Sequence, residues 1–264
     1  QMSDAKPLKI AVSGKGGVGK TTISAALSLL MARRGRRVIA VDADPDANLA
    51  SGLGISEKEQ AEIIPIAKHA ALIEERTGAE VNQYGQIFKL NPEVSDISDK
   101  YSTKHNGVNL LVLGAVSKGG AGCACAENTL ISALVTDLVL YKNEALVLDM
   151  EAGIEHLGRA TASGVHQMLL VVEPGQRSID SAERIIRLCK DINLKNIRLI
   201  ANKVNGPEDE AFLRKSLPEQ EFLAFIPYCD EIRRLDRDGL SVLDGVSPEL
   251  MARFEGIRDR LEAL

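Results

Sequence analysis

The chain contains 264 residues, of which 45% are hydrophobic and 26% charged, and its net charge is −5. This length allows one large domain with a substantial core, or at most two small domains. The acidic balance, with a pI near 5.5, argues against a wide basic surface of the kind that binds nucleic acid.

The apolar runs and the cysteines indicate the cellular compartment. No apolar run approaches the length that spans a bilayer, and the first residues show no signal-peptide pattern. Cys189 and Cys229 are isolated and are expected in the core or in incidental positions, whereas Cys123 and Cys125 form a Cys-x-Cys pair. This usage does not resemble a disulfide framework. We therefore predict a cytoplasmic protein with reduced thiols.

Apolar runs alternate with segments of helical period along most of the chain. The predicted strands are Leu8–Val12, Arg37–Val41, Val108–Leu113, Ala145–Asp149, Met168–Val172, Ile197–Ala201 and Phe222–Ile226. The predicted helices between them include Lys20–Arg33, Ala126–Leu140, Ser178–Asp191 and Glu208–Lys215. Nearly continuous Val, Ile and Leu strands separated by helices are typical of a mostly parallel sheet covered on both faces. We therefore expect a doubly wound α/β fold.

The stretch from about residue 52 to residue 107 is less regular. Helical patterns cover Glu57–Ile64 and Ala67–Thr77, and Pro65 breaks or kinks the segment between them. A long insertion of this kind usually covers a site or contacts a partner. We expect residues 1–264 to form a single domain that carries this insertion.

The C-terminal segment Pro248–Leu264 has the pattern of a helix, with Ser247 as its expected N-cap. Its apolar and charged residues are intermixed, without the wide, Lys-rich face bearing Phe or Trp that is typical of a helix that binds lipid. We therefore expect no membrane partner.

The residues between the first predicted strand and the first predicted helix fit a phosphate-binding loop. The pattern Gly14-x-x-x-x-Gly19-Lys20-Thr21 places glycines where backbone N–H groups turn inward around phosphates. Lys20 is expected to reach the β- and γ-phosphates, Thr21 to coordinate Mg²⁺ and Thr22 to donate to the α-phosphate. ATP or ADP and Mg²⁺ are therefore the predicted cofactors. The predicted nucleotide-binding residues of the loop are Gly14, Lys15, Gly16, Gly17, Val18, Gly19, Lys20, Thr21 and Thr22.

A second lysine, Lys15, lies inside this loop, at a position where a self-contained loop does not require a charge. In this respect the segment resembles the deviant P-loop of the ParA/MinD class of ATPases. The resemblance implies that Lys15 crosses a dimer interface onto the partner's phosphates, in the manner of an arginine finger. An exposed, solvated lysine is the alternative interpretation.

Carboxylates follow the second predicted strand, in the sequence Asp42-Ala43-Asp44-Pro45-Asp46. The carboxyl ends of parallel strands form the ligand crevice of such a fold. By resemblance to the same class this segment is switch I, and Asp44 orients the attacking water. Asp42 is expected to support Mg²⁺ indirectly, and Asp46 is interpreted as a turn residue. Lys15, Lys20 and Asp44 are the predicted catalytic residues.

Two later strands also end in candidate ligands. Asp149 closes the apolar run of a Walker B pattern and is expected to hold Mg²⁺ through water. Gly153 matches the switch II glycine whose N–H senses the γ-phosphate. Asn202 follows Ile197–Ala201, and its amide offers both a donor and an acceptor to the adenine edge.

The Gly-rich segment around Cys123 and Cys125 leads into a predicted helix. Two thiols at i and i+2 fill half of a four-coordinate metal shell, so two copies of the chain would supply four thiolates. Such a set suits Zn²⁺, Ni²⁺ or an iron–sulfur cluster. Two small buried residues without a chemical role are the alternative interpretation.

Several motifs together resemble the CooC family, the nickel-insertion ATPases that mature carbon monoxide dehydrogenase. The related AcsF branch, which serves acetyl-CoA synthase, shares these features. The resemblance covers essentially the whole chain. It rests on the deviant P-loop, the Asp-Ala-Asp-Pro-Asp of switch I, Gly119-Gly-x-x-Cys123-x-Cys125-x-Glu-Asn128, Asp149-Met-Glu-Ala-Gly-Ile-Glu-His-Leu157, Pro65-Ile-Ala-Lys68, Glu74-Glu-Arg-Thr-Gly78 and Leu90-Asn-Pro-Glu-Val94.

This resemblance implies an ATP-driven metallochaperone. Such a protein hydrolyses ATP, forms a homodimer on nucleotide or metal binding, and delivers nickel to a client nickel–iron–sulfur enzyme. By the same resemblance, the Cys123 and Cys125 pairs of the two protomers bind Ni²⁺ or Zn²⁺ in the dimer.

Two other functions share the nucleotide site. A ParA/MinD-type positioning ATPase requires a basic face for DNA or a lipid-binding helix, and the acidic balance and the C-terminal segment argue against both. An iron–sulfur electron donor of the nitrogenase iron-protein type requires separated cysteine ligands, which the Cys-x-Cys spacing does not match.

Overall fold

A central sheet organises the chain, whose computed structural model describes residues 5–44, 46–79, 87, 89–114, 126–137, 143–151 and 165–263. The eight strands found there lie in the order β3-β4-β2-β5-β1-β6-β7-β8. Their bounds are β1 Leu8–Gly14, β2 Arg37–Asp42, β3 Thr103–His105, β4 Val108–Val112, β5 Glu144–Asp149, β6 Gln167–Val172, β7 Ile197–Val204 and β8 Glu221–Pro227.

The seven predicted strands are confirmed, with ends that move by up to three residues. All neighbouring pairs among them are parallel. The edge strand β3 was not predicted, and it pairs antiparallel with β4. The two strands are joined through Asn106 and Gly107, both at positive φ, which is the residue pair that a tight hairpin favours. The expected doubly wound, mostly parallel sheet is confirmed.

Helices follow most strands. Their bounds are α1 Lys20–Arg33, α2 Leu49–Gly52, α3 Glu57–Gln60, α4 Ala70–Thr77, α5 Ile97–Tyr101, α6 Ala126–Asp137, α7 Gln176–Asp191, α8 Pro207–Ser216, α9 Asp230–Arg237 and α10 Pro248–Glu262, with a 3₁₀ turn at Ile66–Lys68. The four helices predicted between strands are confirmed, the one that starts at Ala126 as far as the described residues reach. Ser247 caps α10 as predicted, because its side chain accepts the N–H of Leu250. The sequence did not predict α2, α5 or α9.

The insertion contains less helix than predicted. A capping box formed by Ser56 and Glu59 starts α3, but the helix ends at Gln60 instead of continuing to Ile64. Ile64 is 56% exposed and precedes Pro65, and the residue before a proline avoids the helical region. The second predicted helix is divided at His69, whose ψ of 76° separates the 3₁₀ turn from α4. The extents predicted for both helices were therefore wrong.

The two faces of the sheet bury separate cores. Along β1, Ile10 and Val12 pack in a cluster with α1 and α10, whereas Ala11 packs in the opposite cluster with α4, α6 and α7. Phe254 of α10 and Leu130 of α6 are nearly fully buried in their respective clusters. This alternation is the one that a sheet covered on both faces requires. None of the described helices combines the length and apolar character needed to cross a membrane.

The register of the three central strands brings their polar ends together. Asp42 of β2 is the register partner of Asp149 of β5, and Asp149 is also the partner of Val12, two residues before the end of β1. Gly14 ends β1 and opens the loop to α1. The carboxyl ends of β1, β2 and β5 therefore converge at one edge of the sheet, where ligands of this fold class bind.

Candidate nucleotide site

The loop between β1 and α1 depends on its glycines. Gly14 has a φ of 149°, and a Cβ built on it would lie 2.4 Å from the carbonyl oxygen of Val171. Gly19 has a φ of 100°, and a Cβ there would lie 2.3 Å from Asn202 Nδ2. Any side chain at either position would collide with a neighbour and strain the backbone. Val18 is fully buried between them, so the loop is anchored in the core.

Lys20 begins α1 and folds back over the loop. Its Nζ donates to the carbonyl oxygen of Lys15 at 3.3 Å, and the residue is only 7% exposed. A neutral carbonyl is a weaker acceptor for an ammonium group than a charged phosphate oxygen. The contact places the Lys20 amine where it can exchange this carbonyl for a phosphate.

Asp149 is the acceptor for two hydroxyls of α1. Thr21 Oγ1 donates to Asp149 Oδ2 at 2.8 Å, and Ser24 Oγ donates to Oδ1 at 2.9 Å. Burial raises the pKa of Asp149 to about 6, against the lowering effect of these two hydrogen bonds. A carboxylate and a hydroxyl side by side are hard oxygen donors, which fit Mg²⁺.

Asp42 is fully buried next to Asp149. Its Oδ1 accepts the N–H of Asp44 at 3.1 Å, and its Oδ2 accepts the N–H of Leu49 at 2.9 Å. Burial raises the pKa of Asp42 to about 7, since these backbone donors only partly offset the loss of water and the nearby Asp149 adds like charge. Asp42 therefore holds both ends of the connection between β2 and α2 against the sheet.

Asp44 lies within that segment and is partly exposed. Its Oδ1 accepts the N–H of Asp46 at 3.0 Å, and its carbonyl accepts the N–H of Ala47 at 2.9 Å. Asp46 itself is exposed in the turn. The local turn thus fixes the Asp44 carboxylate at the carboxyl edge of the sheet, near the end of β5.

Lys15 forms an ion pair within its own chain. Its Nζ lies 3.4 Å from Glu173 Oε1, and Lys203 Nζ lies 3.2 Å from Glu173 Oε2. Lys203 Nζ also donates to the carbonyl oxygen of Gly17 at 2.6 Å. Glu173 follows β6 directly, and its N–H donates to the Ser178 hydroxyl. Lys15 of the phosphate loop and Lys203 of β7 therefore share one carboxylate.

Asn202 also contacts the phosphate loop. Its Nδ2 donates to the carbonyl oxygen of Val18 at 2.8 Å, and the residue is 7% exposed. The amide predicted to contact adenine is thus bonded to the loop backbone. An adenine contact by this side chain stays a prediction.

Comparison with known proteins identifies the family. Residues 9–242 match the family model described as the CobQ/CobB/MinD/ParA nucleotide binding domain. The chain belongs to this family. It is therefore a nucleotide-binding ATPase, and ATP or ADP with Mg²⁺ are the ligands that its nucleotide domain supports.

Two relatives match along most of the chain. The carbon monoxide dehydrogenase accessory protein CooC of Rhodospirillum rubrum is 41% identical, over 97% of this chain and 94% of its own length. An uncharacterized ATP-binding protein of Methanocaldococcus jannaschii is 44% identical, over 85% of this chain and 87% of its own length. The resemblance to the CooC family is confirmed.

Solved structures share the fold. A chain of the MinC:MinD cell division complex of Aquifex aeolicus aligns with a TM-score of 0.68 at 21% identity, covering 97% of this chain and 96% of its own. A plasmid partition protein of Borrelia burgdorferi bound to AMPPNP aligns with a TM-score of 0.70 at 18% identity, covering 98% of this chain and 100% of its own. Identities this low show a shared fold and nothing about function.

The structure describes some of the remaining predicted site residues and not others. Gly16 and Gly17 are exposed at the tip of the loop, and Thr22 is partly buried in the first turn of α1. The predicted γ-phosphate sensor Gly153 and the predicted metal ligands Cys123 and Cys125 lie outside the described residues.

The structure also describes two other cysteines and a carboxylate at the end of β6. Cys189 is fully buried in the core, as predicted, and burial raises the pKa of its thiol to about 12. Cys229 is partly buried next to the end of β8. Sequence reasoning missed Glu173, although it follows a predicted strand in the same way as Asp42 and Asp149. The signal was therefore present at this strand end.

Proposed function

We propose that the protein is an ATP-dependent nickel-insertion accessory protein that serves carbon monoxide dehydrogenase or acetyl-CoA synthase. One observation carries this proposal: the 41% identity to CooC of Rhodospirillum rubrum extends over 97% of the chain. Identity at that level over nearly the full length includes the insertion as well as the nucleotide site. The role also requires reduced thiols, which a cytoplasmic location provides.

ATP hydrolysis in this proposal uses the residues at the carboxyl edge of the sheet. Lys20 exchanges its bond to the Lys15 carbonyl for β- and γ-phosphate oxygens. Asp44 orients the water that attacks the γ-phosphorus, and the bond from that phosphorus to the bridging oxygen breaks to give ADP and phosphate. Thr21 and Asp149 would hold Mg²⁺, which when bound neutralises charge on the phosphates.

Dimer closure in this proposal moves Lys15 from its own chain to the partner's nucleotide. In the single chain its ammonium pairs with Glu173, and the two side chains are 36% and 25% exposed. A half-exposed ion pair is worth at most about 1 kcal/mol. The several charges of a bound triphosphate are a stronger partner, so ATP shifts the population towards the closed dimer.

Nickel is the proposed cargo. Each protomer contributes Cys123 and Cys125, and four thiolates suit a four-coordinate Ni²⁺ or Zn²⁺ ion. The shell is complete only when two chains meet, so opening of the dimer after hydrolysis releases the metal. ATP turnover and metal release are therefore coupled through the same interface.

The test is an anaerobic Ni²⁺ titration of the full chain with ATP, in parallel with light scattering. We expect one Ni²⁺ per dimer in the unaltered protein, and loss of that stoichiometry in both Cys123→Ser and Cys125→Ser. Cys229→Ser is the matched control, because it makes the same substitution at a partly buried thiol that precedes α9 and is assigned no metal. Equal Ni²⁺ stoichiometry and equal dimerisation in all four proteins would refute the proposed metal site.

A further inference from the structure

Two successive side chains at the carboxyl end of β7 hold two successive carbonyls of the phosphate loop. Asn202 Nδ2 donates to the carbonyl oxygen of Val18 at 2.8 Å. Lys203 Nζ donates to the carbonyl oxygen of Gly17 at 2.6 Å. β7 runs parallel to β6, which in turn is paired with β1. These contacts tie the loop to a strand two places away in the sheet.

The direction of a carbonyl sets the direction of the next N–H. In a trans peptide the C=O of one residue and the N–H of the following residue point to opposite sides, and no cis peptide occurs among the described residues. With the Val18 carbonyl held towards Asn202, the N–H of Gly19 points away from β7. With the Gly17 carbonyl held towards Lys203, the N–H of Val18 also points away, and it donates to the Lys15 carbonyl at 3.4 Å.

We propose that Lys203 is a positioning residue for the phosphate loop. Together with Asn202 it orients the peptide groups that precede Val18 and Gly19, so that the loop is arranged for phosphate before nucleotide arrives. A loop whose backbone donors are already ordered binds its ligand more tightly, because binding no longer includes the entropy cost of ordering them. This inference rests on the nucleotide site and does not depend on the proposed nickel cargo.

The backbone of Lys203 gives an independent indication. Its φ is 59°, in the left-handed region that residues with a Cβ rarely adopt. Strained residues of this kind persist where the surrounding contacts determine them, and they concentrate at functional sites. Here the strained conformation accompanies an ammonium group that reaches back across the loop to Gly17.

Lys203 also connects the loop to the carboxylate that holds Lys15. Its Nζ lies 3.2 Å from Glu173 Oε2, on the same side chain whose Oε1 pairs with Lys15. When Lys15 leaves for a partner subunit, Glu173 retains a cation. Lys203 thus keeps both the loop and Glu173 in place during the exchange.

Lys203 is the better residue to test, because a change at Asn202 would also remove the predicted adenine contact. The variants are Lys203→Met, which removes the donor, and Lys203→Arg, which restores one. Lys195→Met is the matched charge control, since Lys195 is an exposed lysine just before β7. Asn193→Met controls for the effect of placing Met at a positive φ, which is 63° at that residue.

Three properties are measured on the full chain: the Kd for Mg·ADP, amide hydrogen exchange of peptides covering residues 14–22 without nucleotide, and thermal stability. For Lys203→Met we expect an affinity loss of about three- to tenfold, as for a partly exposed charge-assisted hydrogen bond. Exchange should be faster in the loop alone, with an unchanged melting temperature. Lys203→Arg should recover at least half of the affinity on a logarithmic scale.

Two outcomes would overturn the inference. One is an ADP affinity and loop exchange in Lys203→Met that equal those of Lys195→Met. The other is a fall in melting temperature with faster exchange throughout the chain, which would make Lys203 a general structural residue. Asn193→Met is expected to leave the ADP affinity unchanged.

Discussion

Lys15 Nζ and Glu173 Oε1 lie 3.4 Å apart in the same chain. The resemblance to the ParA/MinD class implies that Lys15 contacts a partner's nucleotide, and in the single chain this lysine pairs with a carboxylate of its own chain. Because both side chains are partly exposed, the pair is weak enough to break on closure. The contact gives the single chain a defined position for Lys15, and its loss would add a modest cost to the proposed dimer closure.

Replacing Glu173 should favour the dimer. In Glu173→Gln the local partner loses its charge in both protomers. Each Lys15–Glu173 pair is worth at most about 1 kcal/mol, so the dimer dissociation constant with a slowly hydrolysed ATP analogue should fall by up to about 30-fold, the equivalent of about 2 kcal/mol for the two pairs. Light scattering across a concentration series measures this constant. Glu219→Gln, at an exposed glutamate before β8, is the control. A weaker dimer in Glu173→Gln would contradict the competition between the two partners of Lys15.

Asp44→Asn should separate binding from hydrolysis. The amide keeps the size of the side chain but lacks the carboxylate that orients and accepts from water, so we expect kcat for ATP to fall about 100-fold or more. ATP affinity should stay within about twofold, because phosphate binding rests on the loop. Asp46→Asn, in the same turn, should retain normal turnover. Steady-state phosphate release and nucleotide titration provide the two measurements, and comparable kcat values in both variants would exclude Asp44 from catalysis.

The Thr21 hydroxyl should be required for the metal dependence of ATP binding. Thr21→Ala removes one oxygen donor and leaves Asp149 with the Ser24 hydroxyl. The Mg²⁺ concentration that gives half-maximal ATPase activity should rise by about tenfold or more. Ser28→Ala is the control, since that hydroxyl donates only one turn back within α1, to the Ser24 carbonyl. An unchanged Mg²⁺ requirement in Thr21→Ala would place the metal elsewhere.

Stability of the nucleotide-free protein should depend on pH through Asp42. Its pKa is raised from 3.8 to about 7. Between about pH 4 and pH 7, Asp42 is therefore protonated in the folded state and ionised in the unfolded state. Stability from this group is therefore present at low pH and is lost as pH rises through about 7. Between pH 8 and pH 6 the gain should be about 1 kcal/mol.

Asp42→Asn isolates this contribution. The neutral amide does not titrate, but it offers one acceptor oxygen where Asp42 offers two, to the N–H groups of Asp44 and Leu49. The informative quantity is therefore the pH dependence, and the variant should gain less stability than the unaltered protein on acidification from about pH 8 to about pH 6. Denaturant unfolding at both pH values measures the difference. Parallel pH dependences in the two proteins would show that Asp42 does not carry the titration.

Much of the nucleotide site could be predicted from the sequence because its residues belong to short local patterns. Gly14, Lys20 and Asp149 follow from a loop pattern and from strand ends, and the helix Lys20–Arg33 was predicted with its observed bounds. These features depend on residues close together in the chain. The pairing of Asp42 with Asp149 also requires β2 and β5 to be neighbours, a strand order that the sequence did not predict.

The features that sequence reasoning missed depend on tertiary contacts or on short signals. β3 has only three residues, and its Asn106-Gly107 turn was the one cue to a hairpin. The insertion helix ended early at Gln60, and Ile64, which is 56% exposed and precedes Pro65, is not a residue whose burial would favour a longer helix. Lys203 donates to the carbonyl oxygen of Gly17, which lies 186 positions away in the chain. No periodic pattern in the sequence encodes a contact of this kind.

The most direct test of the proposed function is anaerobic activation of nickel-free carbon monoxide dehydrogenase by the nickel-loaded protein. Carbon monoxide oxidation is followed with ATP, with ADP, and with a non-hydrolysed ATP analogue. We predict rapid activation with ATP and not with ADP or the analogue. For the variants Lys15→Ala and Cys123→Ser we predict activation no faster than with free Ni²⁺. Activation at the same rate with ATP, with ADP and with the non-hydrolysed analogue, or full activity of both variants, would contradict the account.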